Sequence, residues 1–302
     1  LLAGSHARAH TKAQTQLVEK TELAMGSSPH VLVVPYPAQG HVIPLMEFSH
    51  CLVDAGFRVT FVNTDHNHRR MVAALSKKAA VEVEQMHLVS VPDGLPPDAN
   101  RNDVGLLSDS VLRIMTVHLE ELIRKTNESD DDKITWVIAD ESMACALDMA
   151  KKMGLRSAAF WPAAAAVLAS MLGIPKLIEA GVIDSDGLQK KETFQLGPGM
   201  PWMTGAHLVW NLCGDEETQR MIYRYVLGNN RATESAEFIV CNSFADVERP
   251  IFGYAANILP VGPLLTGRRF GRPVGHFWLE DSACTAWLDE QPAGSVVYVS
   301  FG

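Results

Sequence analysis

Only five of the 302 residues are cysteines, Cys51, Cys145, Cys213, Cys241 and Cys284, far apart and without a C-x-x-C pair. That spacing indicates neither a zinc site nor a disulfide framework, and it fits a reducing, cytoplasmic setting. Positive charge is also scarce: 26 Lys and Arg stand against 35 Asp and Glu, a net charge of −9. Nucleic acid and anionic membrane surfaces both call for a basic patch, and none is visible, so neither is expected as a partner. No run of 18 apolar residues exists to span a membrane, and residues 1–24 are polar with no apolar signal core. The phosphate-binding fingerprints are missing too. The first loop has one glycine where G-x-G-x-x-G needs three, and there is neither a P-loop lysine nor a G-x-S-x-G elbow.

What the chain does contain is a hydrophobic fraction of 47% at a mean hydropathy of +0.03, enough for a sizeable core in a chain long enough for two domains. The organising stretch is His30–Phe48. Val31–Val34 is a continuous apolar run, the pattern of a strand buried on both faces of a parallel sheet, and Pro35, Pro37 and Gly40 are read as forcing a turn. Val42, Leu45, Met46, Phe48 and Leu52 then recur at helical spacing, with Pro44 near the helix start and Gly56 as its C′ residue. Ligands of open parallel sheets bind beyond the carboxyl ends of the strands, so His41 sits where a titratable imidazole serves chemistry, unless it is only solvated or capping.

The unit Ile134–Gly154 repeats this logic. An apolar strand ends at Asp140 and a helix with Ala144, Leu147, Ala150 and Met153 follows, closed by Gly154. Asp140 reads either as that helix's cap or as a carboxylate on the same sheet edge as His41, able to accept the imidazole N–H. Further strands are expected at Phe57–Val62, Val81–Val91 and Ala158–Pro162, with helices at Ser108–Thr126, Ala163–Leu172 and Thr218–Val226. His66 and His68, two apart in an expected loop, invite a metal reading, but a third ligand is wanting and no metal is expected. The acidic run Glu128–Asp132 lacks the glycine and alternating ligands of a calcium loop and reads as a solvated turn. Between Glu192 and Leu208, Met200, Trp202 and Met203 are compatible with a lipophilic pocket or with pinning a loop to the core. Ser295–Gly302 reads as a buried strand. The alternation of strands and helices gives an α/β class with a doubly wound, Rossmann-like parallel sheet.

The run Pro35-Tyr-Pro-Ala-Gln-Gly-His41-Val-Ile-Pro-Leu-Met-Glu-Phe48 resembles the amino-terminal signature of plant UDP-dependent glycosyltransferases. Similar wording recurs at Asn67-His-Arg-Arg70, Pro92-Asp-Gly-Leu95, the Asp140 strand end, Asn242-Ser243 with Asp246-Val-Glu248, and Ile258–Leu264. The resemblance implies the amino-terminal half of a GT-B fold, with the first strand of a second domain at the end. It divides the chain into a non-native or disordered leader at 1–24, an acceptor domain at 25–264, a linker at 265–281 and the start of a truncated donor domain at 282–302.

By the same resemblance His41 is the catalytic base and Asp140 its partner, with Met143 and Trp202 beside His41 at the acceptor and Gly302 at the donor. The implied partners are a UDP-sugar, as co-substrate rather than cofactor, and a small lipophilic or phenolic acceptor such as a flavonoid, handled by a monomer in an inverting glucosyl transfer. The chain as it stands is expected to be inactive. Many relatives carry Thr or Ser where this chain has Pro162, so that sugar contact does not transfer. Two other classes stay open: a non-catalytic binding module on the same fold, and a Rossmann-type oxidoreductase.

Overall fold

The computed structural model describes residues 28–74, 86–264, 276–278 and 282–299. Seven parallel strands form one sheet: β1 (His30–Val34), β2 (Arg58–Thr64), β3 (Met86–Val91), β4 (Ile134–Asp140), β5 (Arg156–Trp161), β8 (Phe238–Cys241) and β9 (Ile258–Pro260). Their order is β3-β2-β1-β4-β5-β8-β9, and β6 (Thr193–Phe194) pairs with β7 (Met203–Thr204) in a separate two-stranded ribbon. The chain winds outward from β1 to one edge, then crosses back to β4 and winds to the other. The reversal falls between β1 and β4, which pair directly from His30 to Val34. Alternate residues of these strands enter two cores. Leu32, Val34, Val137 and Ala139 face one, and Val31, Val33, Trp136 and Ile138 face the other. Apolar side chains on both faces are why these strands read as unbroken apolar runs.

Helix α1 (Gln39–Asp54) and α2 (Asp65–Ala74) cover one face. The other face is covered by α3 (Val104–Thr126), α4 (Ala144–Lys152), α5 (Ala165–Leu172) and α7 (Glu216–Thr233), while α6 (Ile174–Glu179), α8 (Arg249–Tyr254) and α9 (Ser282–Asp289) are short. Glycines end α1 and α4 as the sequence predicts. Gly56 has φ +89°, and the bonds Gly56 N–H to Val53 O (2.9 Å) and Phe57 N–H to Leu52 O (3.0 Å) complete a Schellman stop. Gly154, at φ +69°, ends α4 by the same pair of bonds.

Several expectations shift. Helix α1 starts at Gln39, so Gly40 belongs to its first turn rather than to the loop, and Pro44 is an interior residue whose missing N–H leaves the Gly40 carbonyl without its helical donor. The segment after β2 is helix α2 rather than a loop, which puts His66 and His68 two residues apart on a helix, on different faces. Helix α3 begins a turn earlier than Ser108, because Asp103 caps it by accepting the Leu106 N–H at 3.0 Å. The acidic turn is only partly solvated: Asp132 meets Arg58 at 2.9 Å and the buried His30 at 2.8 Å. Residues 295–299, read as a buried strand, are exposed and pair with no strand among the described residues, and Val297 is 84% exposed. Their apolar pattern lacks the neighbours that would make it a ladder. The leader at 1–24, most of the linker at 265–281, the first part of the Val81–Val91 strand and Gly302 lie outside the described residues.

Helix α5 shows how distant residues hold the sheet edge. Its N-cap, Ala164, has no side chain to offer, and the Glu248 carboxylate takes over, accepting from Ala165 N–H at 2.7 Å and Ala166 N–H at 2.8 Å. Ser243 donates its hydroxyl to the same carboxylate. An anion at the first turn also matches the helix dipole. Glu248→Ala should therefore cost about 2 kcal/mol in a urea unfolding experiment, the upper part of the range for a lost cap, with the sheet intact.

Candidate functional site

The site is assembled where the winding reverses. The loop after β1 passes Tyr36 and Pro37 into α1, and its first turn carries His41, whose N–H bonds Ala38 O at 2.9 Å. From the adjacent strand β4, Asp140 is in phase with Trp136 and Ile138 and so faces α1. His41 Nδ1 lies 2.8 Å from Asp140 Oδ2. Asp140 is wholly buried, while the His41 side chain keeps 26% of its surface exposed. The other Asp140 oxygen accepts the Ser142 N–H at 2.9 Å. Asp140 thus caps a tight turn and orients the imidazole, whereas α4 begins only at Ala144, so the helix-cap reading does not hold.

A carboxylate can only accept, so Nδ1 carries the proton and Nε2 is left as the basic nitrogen. Burial alone would lower the imidazole pKa, but the charge of Asp140 and its hydrogen bond outweigh it and raise His41 above 6.5. The Tyr36 ring, 5.1 Å from the imidazole centroid, walls one side, and its hydroxyl pairs with Ser108 at 3.1 Å. The Tyr225 hydroxyl donates to Ser142 O and ties α7 to the same turn. Among the described residues no group of three or more His, Cys, Asp or Glu is placed to hold a metal ion.

The other two expected acceptor residues fall differently. Met143 has no accessible surface and belongs to the larger core, with its N–H bonded to Asp140 O at 2.8 Å, so it supports the turn from below. Trp202 stands 68% exposed just before β7. A cavity of about 320 Å³ lined by Lys176, Thr233, Glu234, Phe238 and Tyr254 opens at the amino ends of the strands, the edge opposite the His41–Asp140 pair.

Glu141 escapes the sequence reading, although the signal was present as a second carboxylate directly after Asp140. It is 1% exposed, its Oε1 has no hydrogen-bond partner, and burial together with the neighbouring Asp140 charge pushes its pKa to about 8. At pH 7 it is a neutral acid. Below 4.5 the folded and unfolded chains both hold this proton; between 4.5 and about 8 only the folded chain does, so stability falls as pH rises through that window. Glu141→Gln should remove the slope and raise unfolding stability at pH 7 by on the order of 3 kcal/mol, measured by denaturant titration from pH 5 to 8.

No family model matches the chain. UDP-glycosyltransferase 83A1 of Arabidopsis thaliana is 42% identical over 283 residues, covering 91% of this chain and 61% of that relative. The (R)-mandelonitrile beta-glucosyltransferase of Prunus dulcis is 29% identical over 93% of this chain and 62% of its own length. Among solved structures, a UDP-glucosyltransferase from Polygonum tinctorium capable of glucosylating indoxyl, in complex with 3,4-dichloroaniline, superposes with a TM-score of 0.69 at 25% identity, over 92% of this chain and 60% of that one. Phytolacca americana UGT2, complexed with UDP-2-fluoro-glucose and pterostilbene, shares the fold at a TM-score of 0.65 and 23% identity, over 92% of this chain and 60% of its own. The chain thus spans about 61% of the length of the first of these relatives. Over the span it shares with them, the chain is similar in sequence to plant UDP-glycosyltransferases and has the fold of their amino-terminal part.

Proposed function

We propose that this chain is the acceptor-binding, base-carrying part of a UDP-sugar-dependent transferase acting on a hydroxyl of a small lipophilic molecule. The observation that carries the reading is the 2.8 Å contact of His41 Nδ1 with buried Asp140 at the reversal of the sheet. His41 Nε2 takes the proton from the acceptor hydroxyl as its oxygen forms a bond to the anomeric carbon. The bond from that carbon to the UDP oxygen breaks on the opposite face, the configuration inverts, and UDP carries away the electron pair. Asp140 stabilises the imidazolium that results, and the proton passes to solvent afterwards.

Phenols are the acceptors this base suits best. A phenol near pKa 10 and an imidazole raised above 6.5 lie closer together than an aliphatic alcohol and any histidine, so transfer in the transition state needs little further help. Flavonoids and other plant phenols are the proposed acceptors and glucose the proposed sugar, a choice supported by the glucosyltransferases among the relatives.

The test is transfer from UDP-glucose to a panel of phenols in the complete protein, followed by UDP release. His41→Ala should cut kcat by roughly 10²–10⁴, the range of a positioned general base. The acid limb of the wild-type profile should lie above pH 6.5, because only the neutral imidazole is a base and Asp140 holds the proton on longer. A loss below tenfold in a folded variant would remove His41 from this role.

A further inference from the structure

The stretch Asn67-His-Arg-Arg70 has no part in the chemistry above, yet it touches the base-bearing loop from behind. Thr64, the last residue of β2, accepts the Asn67 N–H at 3.2 Å and so starts α2 in a fixed orientation. That orientation turns the Asn67 side chain inward, where it is 4% exposed and donates through Nδ2 to Pro37 O at 2.8 Å. Pro37 lies in the loop between β1 and α1, just ahead of Ala38, whose carbonyl receives the N–H groups of both His41 and Val42 at 2.9 Å.

One turn further along α2, the Arg70 guanidinium lies 5.0 Å from the Phe277 ring and 4.5 Å from the Trp278 ring. Phe277 is 7% exposed and packs in the same core as α1, and its N–H donates to Gln39 Oε1 at 3.3 Å. Gln39 is the first residue of α1, two before His41. Helix α2 therefore grips the base-bearing segment at two points, directly through Pro37 and indirectly through Phe277.

We propose that α2 is a bracket that sets the position of His41, with Asn67 and Arg70 as positioning residues, and that it links the base to the chain segment at Phe277–Trp278. The physical argument is one of leverage. The loop Pro35–Ala38 has two prolines and so little backbone hydrogen bonding of its own, and a loop carbonyl left without a donor is free to drift. A shift of Pro37 moves the start of α1 and, with it, the 2.8 Å contact between His41 and Asp140. Losses of this kind act on catalysis from a distance, since a misplacement of about 1 Å is worth up to ~10²-fold in rate. That consequence rests on His41 being the base; the positional claim does not.

The test is an NMR titration of the His41 ring in this chain, which needs no turnover. The groups that face the imidazole are the Asp140 carboxylate and the Tyr36 ring, and Asp140 is what holds the midpoint up against burial. In Asn67→Ala the midpoint should fall by about half a pH unit toward its ordinary value as that contact loosens. Arg70→Gln, which removes a cation that is not buried and leaves Asn67 in place, should fall in the same direction by less. Circular dichroism checks that each variant is folded, and Arg70→Gln decides the matter should Asn67→Ala fail to fold. An unchanged midpoint in either folded variant overturns the bracket. His41→Ala in the transfer assay tests the base reading separately, so the two can fail independently.

Discussion

Everything at the candidate site depends on the pairing of β1 with β4. These strands are neighbours in the sheet but far apart in sequence, and the crossovers leave them in opposite directions, α1 to one face and α4 to the other. Two loops that diverge cannot fill the space between them, so a crevice at this point follows from topology rather than from any particular side chain. The register His30↔Ile134 through Val34↔Ala139 then decides which residues reach the crevice. His41 arrives on the first turn of α1 and Asp140 on the last residue of β4, and one hydrogen bond joins them.

The site's electrostatics follow from having one cation-forming group among buried acids. Asp140 has two donors, the imidazole and the Ser142 N–H, and serves as the charged partner. Glu141 has an oxygen with none, and the neutral form is its stable state at pH 7. Burial, with the Asp140 charge beside it, pushes the Glu141 carboxyl up to about 8. This keeps a single negative charge opposite the imidazole, the arrangement that strengthens His41 as a base.

Much of this was legible in the sequence, for physical reasons. A parallel strand buried on both faces needs a continuous apolar run, so β1 and β4 stood out, and a helix that stops at positive φ calls for glycine, so Gly56 and Gly154 marked their ends. His41 and Asp140 followed from those strand ends. What stayed hidden depends on contacts distant in sequence. Helix α2 has only Asn67 and Met71 buried, so its polar sequence looked like a loop. Glu248 caps a helix from 83 positions away. Met143 and Trp202 are both large and apolar, yet one is core and the other surface, a difference set by packing alone. Residues 295–299 have the composition of a strand without the partners that make one.

The central claim is that Asp140 holds His41 as a tautomerically fixed, strengthened base, and the most direct measurement is the His41 ring titration in Asp140→Asn beside the parent chain. In the parent the midpoint lies above 6.5, because the carboxylate outweighs burial. An amide in its place has no charge and leaves burial unopposed, so the account predicts a midpoint below 6.5. A midpoint that stays where it was in the folded variant would contradict it.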